Sequence, residues 1–193
     1  LAGIPRIWLG SEIEVGATRL FRKTFVLPNR AGLRAARLTL FADSVYQLWV
    51  NGAYIGRGPT FFHPHRRPIQ RYELKPFLKE GLNAVAVLVH SYGFSIHNYT
   101  VSGCPGLTAL LEMESHNGRR HRIRTDRSWK ASAQTGWLAD APRRSWAIGF
   151  LEHFEAARHP WGWTDPAFDD RRWSRAETHP AFRPGLPGIY IDP

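Results

Sequence analysis

The sequence predicts an all-β sandwich with short helical turns. Three observations point there. Apolar and polar residues alternate with period two through much of the chain, turn residues such as Asn-Gly and Pro-Asn separate these runs at short spacing, and no segment holds a helical period for three turns. The chain has 193 residues, of which 43% are hydrophobic and 22% charged, too apolar for disorder. A domain of this length buries roughly 70% of its unfolded surface, so one core stands without disulfide or metal staples.

The elements follow in order. Residues 19–27 (RLFRKTFVL) form a strand that stops at Pro28-Asn29, and residues 36–42 (ARLTLFA) alternate with Leu38 and Leu40 on one face. Residues 45–50 (VYQLWV) run into Asn51-Gly52 and then the short apolar run 53–56, the strongest local signal for a hairpin. In residues 74–81, Pro76 comes early and Gly81 closes, the asymmetry of a single helical turn. Residues 82–90 (LNAVAVLVH) are nearly continuously apolar and predict a strand buried on both faces. Residues 107–114 and 120–125 flank His116-Asn117-Gly118 and read as a second hairpin, although the first of them also fits a helix. Residues 147–155 read as a late strand, 169–173 as a helical turn with its acids first, and 186–191 as the opening strand of something further on.

Past about Gly136 alternation fades, and Trp, Pro, Arg and Asp become frequent. The expected organisation is therefore a lead-in over 1–18, a sandwich over 19–176 whose residues 136–176 form a Trp/Arg-rich cover, and a linker over 177–193 toward a following domain. The chain begins at Leu1 without methionine and without a basic region followed by an apolar one, so it reads as a fragment with no signal peptide of its own. The compartment is left open. No apolar run approaches the roughly 18–20 residues of a membrane helix.

Four stretches, in this order, resemble a known family. They are DSVYQLWVNGAYIGRGP (43–59), RYELKPFLKEGLNAVAVLVHSYG (71–93), TDRSWKAS (125–132), similar to an Asp-x-Ser-Trp strand end, and HFEAARHPWGWTDPAFDDRRWSRA (153–176). Together they resemble the galactose-binding-like jelly-roll β-sandwich domains at the N-terminus of bacterial α-L-rhamnosidase-type glycoside hydrolases. One departure stands out: Glu155-Ala156-Ala157-Arg158 replaces the usual Asp-Ala-Arg. The resemblance implies a non-catalytic accessory domain that docks on the catalytic domain of the same polypeptide and contacts carbohydrate. The catalytic acids of such enzymes would lie on a separate helical barrel. Related sandwiches occur in β-galactosidase-like enzymes.

The residues themselves support no catalytic set. Glycoside hydrolysis needs two carboxyl groups across a sugar. Glu152 with Glu155 and Asp169 with Asp170 are sequence neighbours at no obvious cleft, and they read as surface charge or arginine partners. Cys104 lies in the turn-rich run Ser102-Gly103-Cys104-Pro105-Gly106, and one cysteine builds neither a disulfide nor a cysteine zinc site. His63-Pro64-His65 lacks a third ligand at clear spacing and is followed by Arg66-Arg67, so no metal and no cofactor is expected.

Aromatic residues are the better lead. Trp137, Trp146, Trp161 and Trp163 fall outside the strong strands, and the loop holding Tyr92, His97, Asn98 and Tyr99 mixes rings with polar groups. Indoles stack on the flat C–H faces of sugars, and Arg, Asn and His bond their hydroxyls, so these residues and Arg57 are the candidate carbohydrate contacts. The competing reading is that they pack on the sandwich or on a neighbouring domain.

The net charge is +10, from 26 Lys+Arg against 16 Asp+Glu, and since Lys is limited to Lys23, Lys75, Lys79 and Lys130, arginine carries the excess. These arginines are scattered except for Arg119, Arg120, Arg122 and Arg124. No nucleic-acid-binding module accompanies them, so neither nucleic acid nor membrane is an expected partner. An independent carbohydrate-binding module and a β-barrel nucleic-acid binder are the alternative functions, together with a structural domain that takes no ligand.

Overall fold

The computed structural model describes residues 1–12, 14–59, 62, 67–139, 141–182 and the backbone of 189–191. Its strands are β1 (Arg6–Trp8), β2 (Ala17–Leu27), β3 (Leu33–Asp43), β4 (Val45–Val50), β5 (Ala53–Gly58), β6 (Pro68–Glu73), β7 (Gly81–Ser91), β8 (Gly106–Ser115), β9 (Arg120–Arg124), β10 (Lys130–Ser132), β11 (Ser174–Arg175), β12 (Glu177–His179) and β13 (Ile189–Ile191). Among the described residues they make two sheets. A seven-stranded sheet runs β12-β1-β8-β3-β6-β13, with β9 also on β8, and a six-stranded sheet runs β11-β10-β2-β7-β4-β5. Pairing is antiparallel except between β13 and β6. The all-β sandwich expected from period-two alternation is the observed fold.

The alternation sorts each strand between two surfaces. From the six-stranded sheet, Phe21, Tyr46, Leu48, Val85, Val87 and Val89 enter a core with Leu38, Leu40, Leu107 and Leu111 of the other sheet, with Trp8 and Trp129 at its margin. The continuous run in β7 has a separate cause. Its alternate residues Ala86 and Leu88, with Leu20 of β2, lie under a second cluster on the outer face, formed by Trp163 with Trp49, Trp137, Phe168 and Trp173. A strand covered on both faces needs apolar residues at every position.

Arg22 fastens that outer cluster. It lies on β2 beside Leu20, yet its side chain is only 1% exposed. Its guanidinium is paired with the carboxylate of Asp170, donates to the carbonyls of Asp165 at 2.6 Å and Phe168 at 3.3 Å, and lies over the Phe168 ring. The segment it holds has no helix. Its backbone turns through Asp165 N–H to the Gly162 carbonyl, Phe168 N–H to Asp165 and Trp173 N–H to Asp170. The helical turn expected over 169–173 is this last turn.

Asn51 and Gly52 join β4 to β5 with φ of 52° and 83°, the paired positive values of a type I′ hairpin turn. The Asn51 side chain donates to the Phe77 carbonyl and to Asn83 Oδ1, while its own oxygen accepts the Ala84 N–H. Lys75–Phe77 is the helical turn, a single 3₁₀ turn. At the far end of β5 a side chain on Gly58 would overlap the Gln70 amide, whose oxygen accepts the Tyr46 hydroxyl, so Gln70 would have to leave that bond to admit it.

Several elements differ from expectation. β8 is a strand paired with β9, which resolves the ambiguity over 107–114. Residues 147–155 form no strand, only an isolated bridge between Trp137 and Phe154, and Gly149 and Phe150 pack on the loop that holds Tyr92 and Phe94. Strand β1 lies in the expected lead-in and is fully buried at Ile7 and Trp8. Strands β12 and β13 lie in the expected linker and join the seven-stranded sheet.

Removing Asp170 would leave a buried guanidinium with carbonyl partners alone. Asp170→Ala is expected to cost about 3 kcal/mol in urea unfolding and to open residues 160–173 to proteolysis. A loss under about 0.5 kcal/mol, the range of a neutral surface change, would show that the ion pair does not hold the cover.

Candidate functional site

Two loops meet at one end of the sandwich, and each is tied down by a polar residue. The first follows β7. Asp43, at the end of β3 and 1% exposed, accepts hydrogen bonds from the Tyr99 and Ser102 hydroxyls. Ser44 accepts the Tyr92 N–H at 3.1 Å. The loop's ring contacts continue inward, with Tyr99 edge-on to Tyr92 and Phe62, and Phe62 edge-on to Phe41. Burial holds the Asp43 carboxyl above its ordinary value, against the hydrogen bonds of Ser102, Tyr99 and Ser44 and the nearby Arg67 charge, which lower it. Burial also depresses His90, whose Nδ1 is 2.9 Å from Thr18 Oγ1, to about 4, so this imidazole is neutral at neutral pH.

The second loop spans 139–152. Its base is closed by the Trp137–Phe154 bridge and by the N–H groups of Leu138 and Glu155, which donate to the His153 and Gly136 carbonyls. Its tip leans on the first loop. Phe150 is edge-on to Phe94 at 5.1 Å, the Arg143 guanidinium lies 4.0 Å over the Phe94 ring, and Trp146 is edge-on to His97 at 5.4 Å. Gly149 sits where a Cβ would be 2.9 Å from the Tyr92 ring.

The structure thus brings His97 and Trp146 into contact, with Asn98 exposed beside His97, while Tyr92 meets His90, Tyr99 and the second loop at Gly149. Trp146 is 70% exposed. A second aromatic group joins Trp137, Phe154, His159 and Trp161 through ring contacts of 4.5–6.2 Å. Here His159 Nδ1 donates to the Thr135 carbonyl and Trp161 Nε1 to the Ala156 carbonyl. Trp161 is 67% exposed, and an open groove of about 550 Å³ runs beside Trp137 between residues 133–138 and 157–158. Ile148, Leu151 and Phe154 add exposed apolar surface around both groups.

Three candidates do not join these exposed groups. Tyr99 and Trp163 are each only 4% exposed, so neither offers a ring face to a sugar. Tyr99 is spent on Asp43, and Trp163 on the outer sheet face, where it meets Trp49 and Trp173. Arg57 is exposed on the edge strand β5, and no side-chain contact among the described residues joins it to the loops. Sequence reasoning missed Asp43, Arg143, Phe150 and His159. Asp43-Ser44 between two apolar runs reads as a turn, and nothing local marks its burial.

Of the carboxylates weighed for chemistry, Glu155 pairs with Arg158, Asp169 with Arg171 and Asp170 with Arg22, while Glu152 is exposed. Among the described residues no three His, Cys, Asp or Glu side chains group as metal ligands. His63 and His65 lie outside the described residues.

The family model described as the alpha-L-rhamnosidase N-terminal domain matches residues 31–186. An α-L-rhamnosidase of Streptomyces avermitilis is 31% identical over 167 residues, 81% of this chain and 15% of that protein. The GH78 family rhamnosidase of Bacillus sp. GL1 superposes with a TM-score of 0.85 at 31% identity, covering 98% of this chain and 20% of that one. A lectin of Pleurotus ostreatus, solved with GalNAc, shares the fold at 22% identity and a TM-score of 0.59, over 100% of this chain and 48% of its own. The chain therefore spans about a fifth or less of the rhamnosidases it matches.

Because the raised value of Asp43 means that the folded state binds its proton more tightly than the unfolded chain, ionisation costs stability as pH rises through that value. Asp43→Asn removes this cost. The unfolding free energy of D43N relative to the parent chain is therefore expected to rise from pH 4 to pH 7 in parallel urea titrations. A difference that is flat, or falls, would show that Asp43 is not held above its ordinary value.

Proposed function

Since this chain belongs to the family of α-L-rhamnosidase N-terminal domains, we propose that it is a non-catalytic accessory domain of an α-L-rhamnosidase-type glycoside hydrolase and docks through its two-loop face on the catalytic domain of the same polypeptide. The observation that carries this reading is the exposure of Trp146, Ile148, Leu151, Phe154 and Trp161 on loops fixed from below. Apolar surface gathered in this way marks an interaction face. Trp and Arg are the residues enriched where such faces are buried, and Arg143 flanks Trp146 here.

A second reading rests on the pair Trp146 and His97. An indole standing free beside an imidazole and Asn98 offers a stacking face and polar partners to one sugar ring, so this pair would contact carbohydrate at the margin of the docked face. The groove beside Trp137 would extend such a site.

Both readings are testable with Trp146→Ala and Trp161→Ala. The isolated chain should keep its unfolding free energy within about 0.5 kcal/mol, since both indoles are already exposed. In the full-length polypeptide the double variant should split one melting transition into two, and an unsplit transition would remove the docking role. Titrating the isolated chain with L-rhamnose should quench Trp fluorescence in the parent and not in W146A. A parent signal that stays flat at saturating sugar would overturn the carbohydrate contact. Hydrolysis of a chromogenic α-L-rhamnoside by the isolated chain would overturn the non-catalytic reading.

A further inference from the structure

The sandwich has an open side at which one strand edge from each sheet is unpaired. β10 pairs with β2 only at Leu20, Phe21 and Arg22. β2 runs on to Leu27 with β7 as its one partner. On an antiparallel strand alternate residues turn their N–H and C=O groups to opposite sides. Among the described residues no other backbone group meets residues 23–26. In the other sheet β9 pairs with β8 alone.

An open groove of about 770 Å³ runs between these edges. It is lined by three successive residues of β2 (23–25) and four of β9 (121–124), with Leu1, Ala2 and Ile4 of the N-terminal segment also on its wall. Successive residues of a strand point to opposite faces, so the groove follows the strand edges rather than one face. Its floor is apolar at Phe25, Leu110 and Ile123, and its rim carries Lys23, Arg122 and Arg124 against Asp126. Arg122 is paired with Glu112, while Arg124 has no ion pair among the described residues.

We propose that this groove receives an extended acidic peptide segment from outside the domain, which adds as a strand to the free edge of β2. The backbone of the segment would bond the unpaired groups of residues 23–26. Its alternate apolar side chains would cover Phe25 and Ile123, and its carboxylates would face Lys23 and Arg124. Strand addition draws affinity from main-chain bonds and specificity from alternate side chains. A flexible polyanion would use the rim but neither the edge nor the apolar floor. The rim is net positive, with Lys23, whose Nζ donates to Ser128 Oγ, and Arg124 against Asp126, so it repels a basic strand and attracts an acidic one. The inference is independent of the role proposed for Trp146.

The test uses the 193-residue chain with the labelled peptide Thr-Glu-Val-Glu-Ile-Glu-Thr at low salt, the same peptide N-methylated at alternate residues, and hexagalacturonate as a strand-free polyanion. The peptide should bind and slow hydrogen exchange of the outward-facing amides in residues 23–26 at least about tenfold. N-methylation, and separately the variant Lys23→Glu/Arg124→Glu, should each weaken binding at least about tenfold, or 1.4 kcal/mol. No binding, unchanged exchange, equal binding of the methylated peptide, or competition by hexagalacturonate as effective as by the peptide would each overturn strand addition. The exchange and methylation arms use the unaltered chain, so they decide the matter even if the double variant fails to fold.

Discussion

The buried guanidinium of Arg22 determines where the C-terminal third of the chain lies. A charge taken out of water on a sheet face is tolerated only if its donors are met. The groups that meet its two terminal nitrogens, the Asp165 and Phe168 carbonyls and the Asp170 carboxylate, all come from one segment, while Nε has no partner among the described residues. The net energy of such a pair is close to zero against a well-packed apolar replacement. The favourable free energy comes from the rings around it. Burying one indole withdraws about 150–250 Å² from water, worth about 4–6 kcal/mol at 25 cal/mol per Å². Trp163, over Leu20, Ala86 and Leu88, supplies the drive, and Arg22 supplies the register.

That register passes to the site. Trp137 belongs at once to the outer-face cluster and to the bridge that closes the base of the second loop. Asp43 does the corresponding work for the first loop from the opposite end of the chain. The two loops touch through Phe94, Phe150, His97 and Trp146. Their exposed rings are therefore presented by a scaffold fixed on both sides, which lowers the ordering cost of any contact they make.

The sequence is legible where one local rule decides the outcome. Alternation places the long strands, Asn51-Gly52 makes its hairpin, and the unbroken run in β7 announces a strand covered twice. The three-residue strands β1 and β12 are too short to show a period, and β6 opens at Pro68, a residue that reads as a break rather than as a strand. Residues 147–155 alternate convincingly, but alternation needs a neighbouring edge, and their rings found a loop instead. Candidate site residues are harder still. Trp161 and Trp163 are two residues apart in the same Trp/Pro-rich run, yet one is 67% exposed and the other 4%. That difference is made by Leu20 and Leu88, more than seventy positions away, and no composition rule carries it.

The basic balance divides along the same line. Arg6, Arg19 and Arg22 are buried, each paired with an acid and each bonding backbone carbonyls. Arg30 caps the carbonyls of Lys75 and Leu78 at 2.8 and 2.9 Å. A planar fork with five donors closes several carbonyls at once, which an ammonium group does less well. These four arginines thus end strands and turns inside a sandwich of short elements. Arg119, Arg120 and Arg124 on the β8–β9 hairpin have no such work among the described residues. Exposed arginines such as Arg57, Arg144, Arg172 and Arg175 are scattered over the rest of the surface, and the compact part of the remaining charge stands on the β8–β9 hairpin, beside the groove where two sheet edges are open.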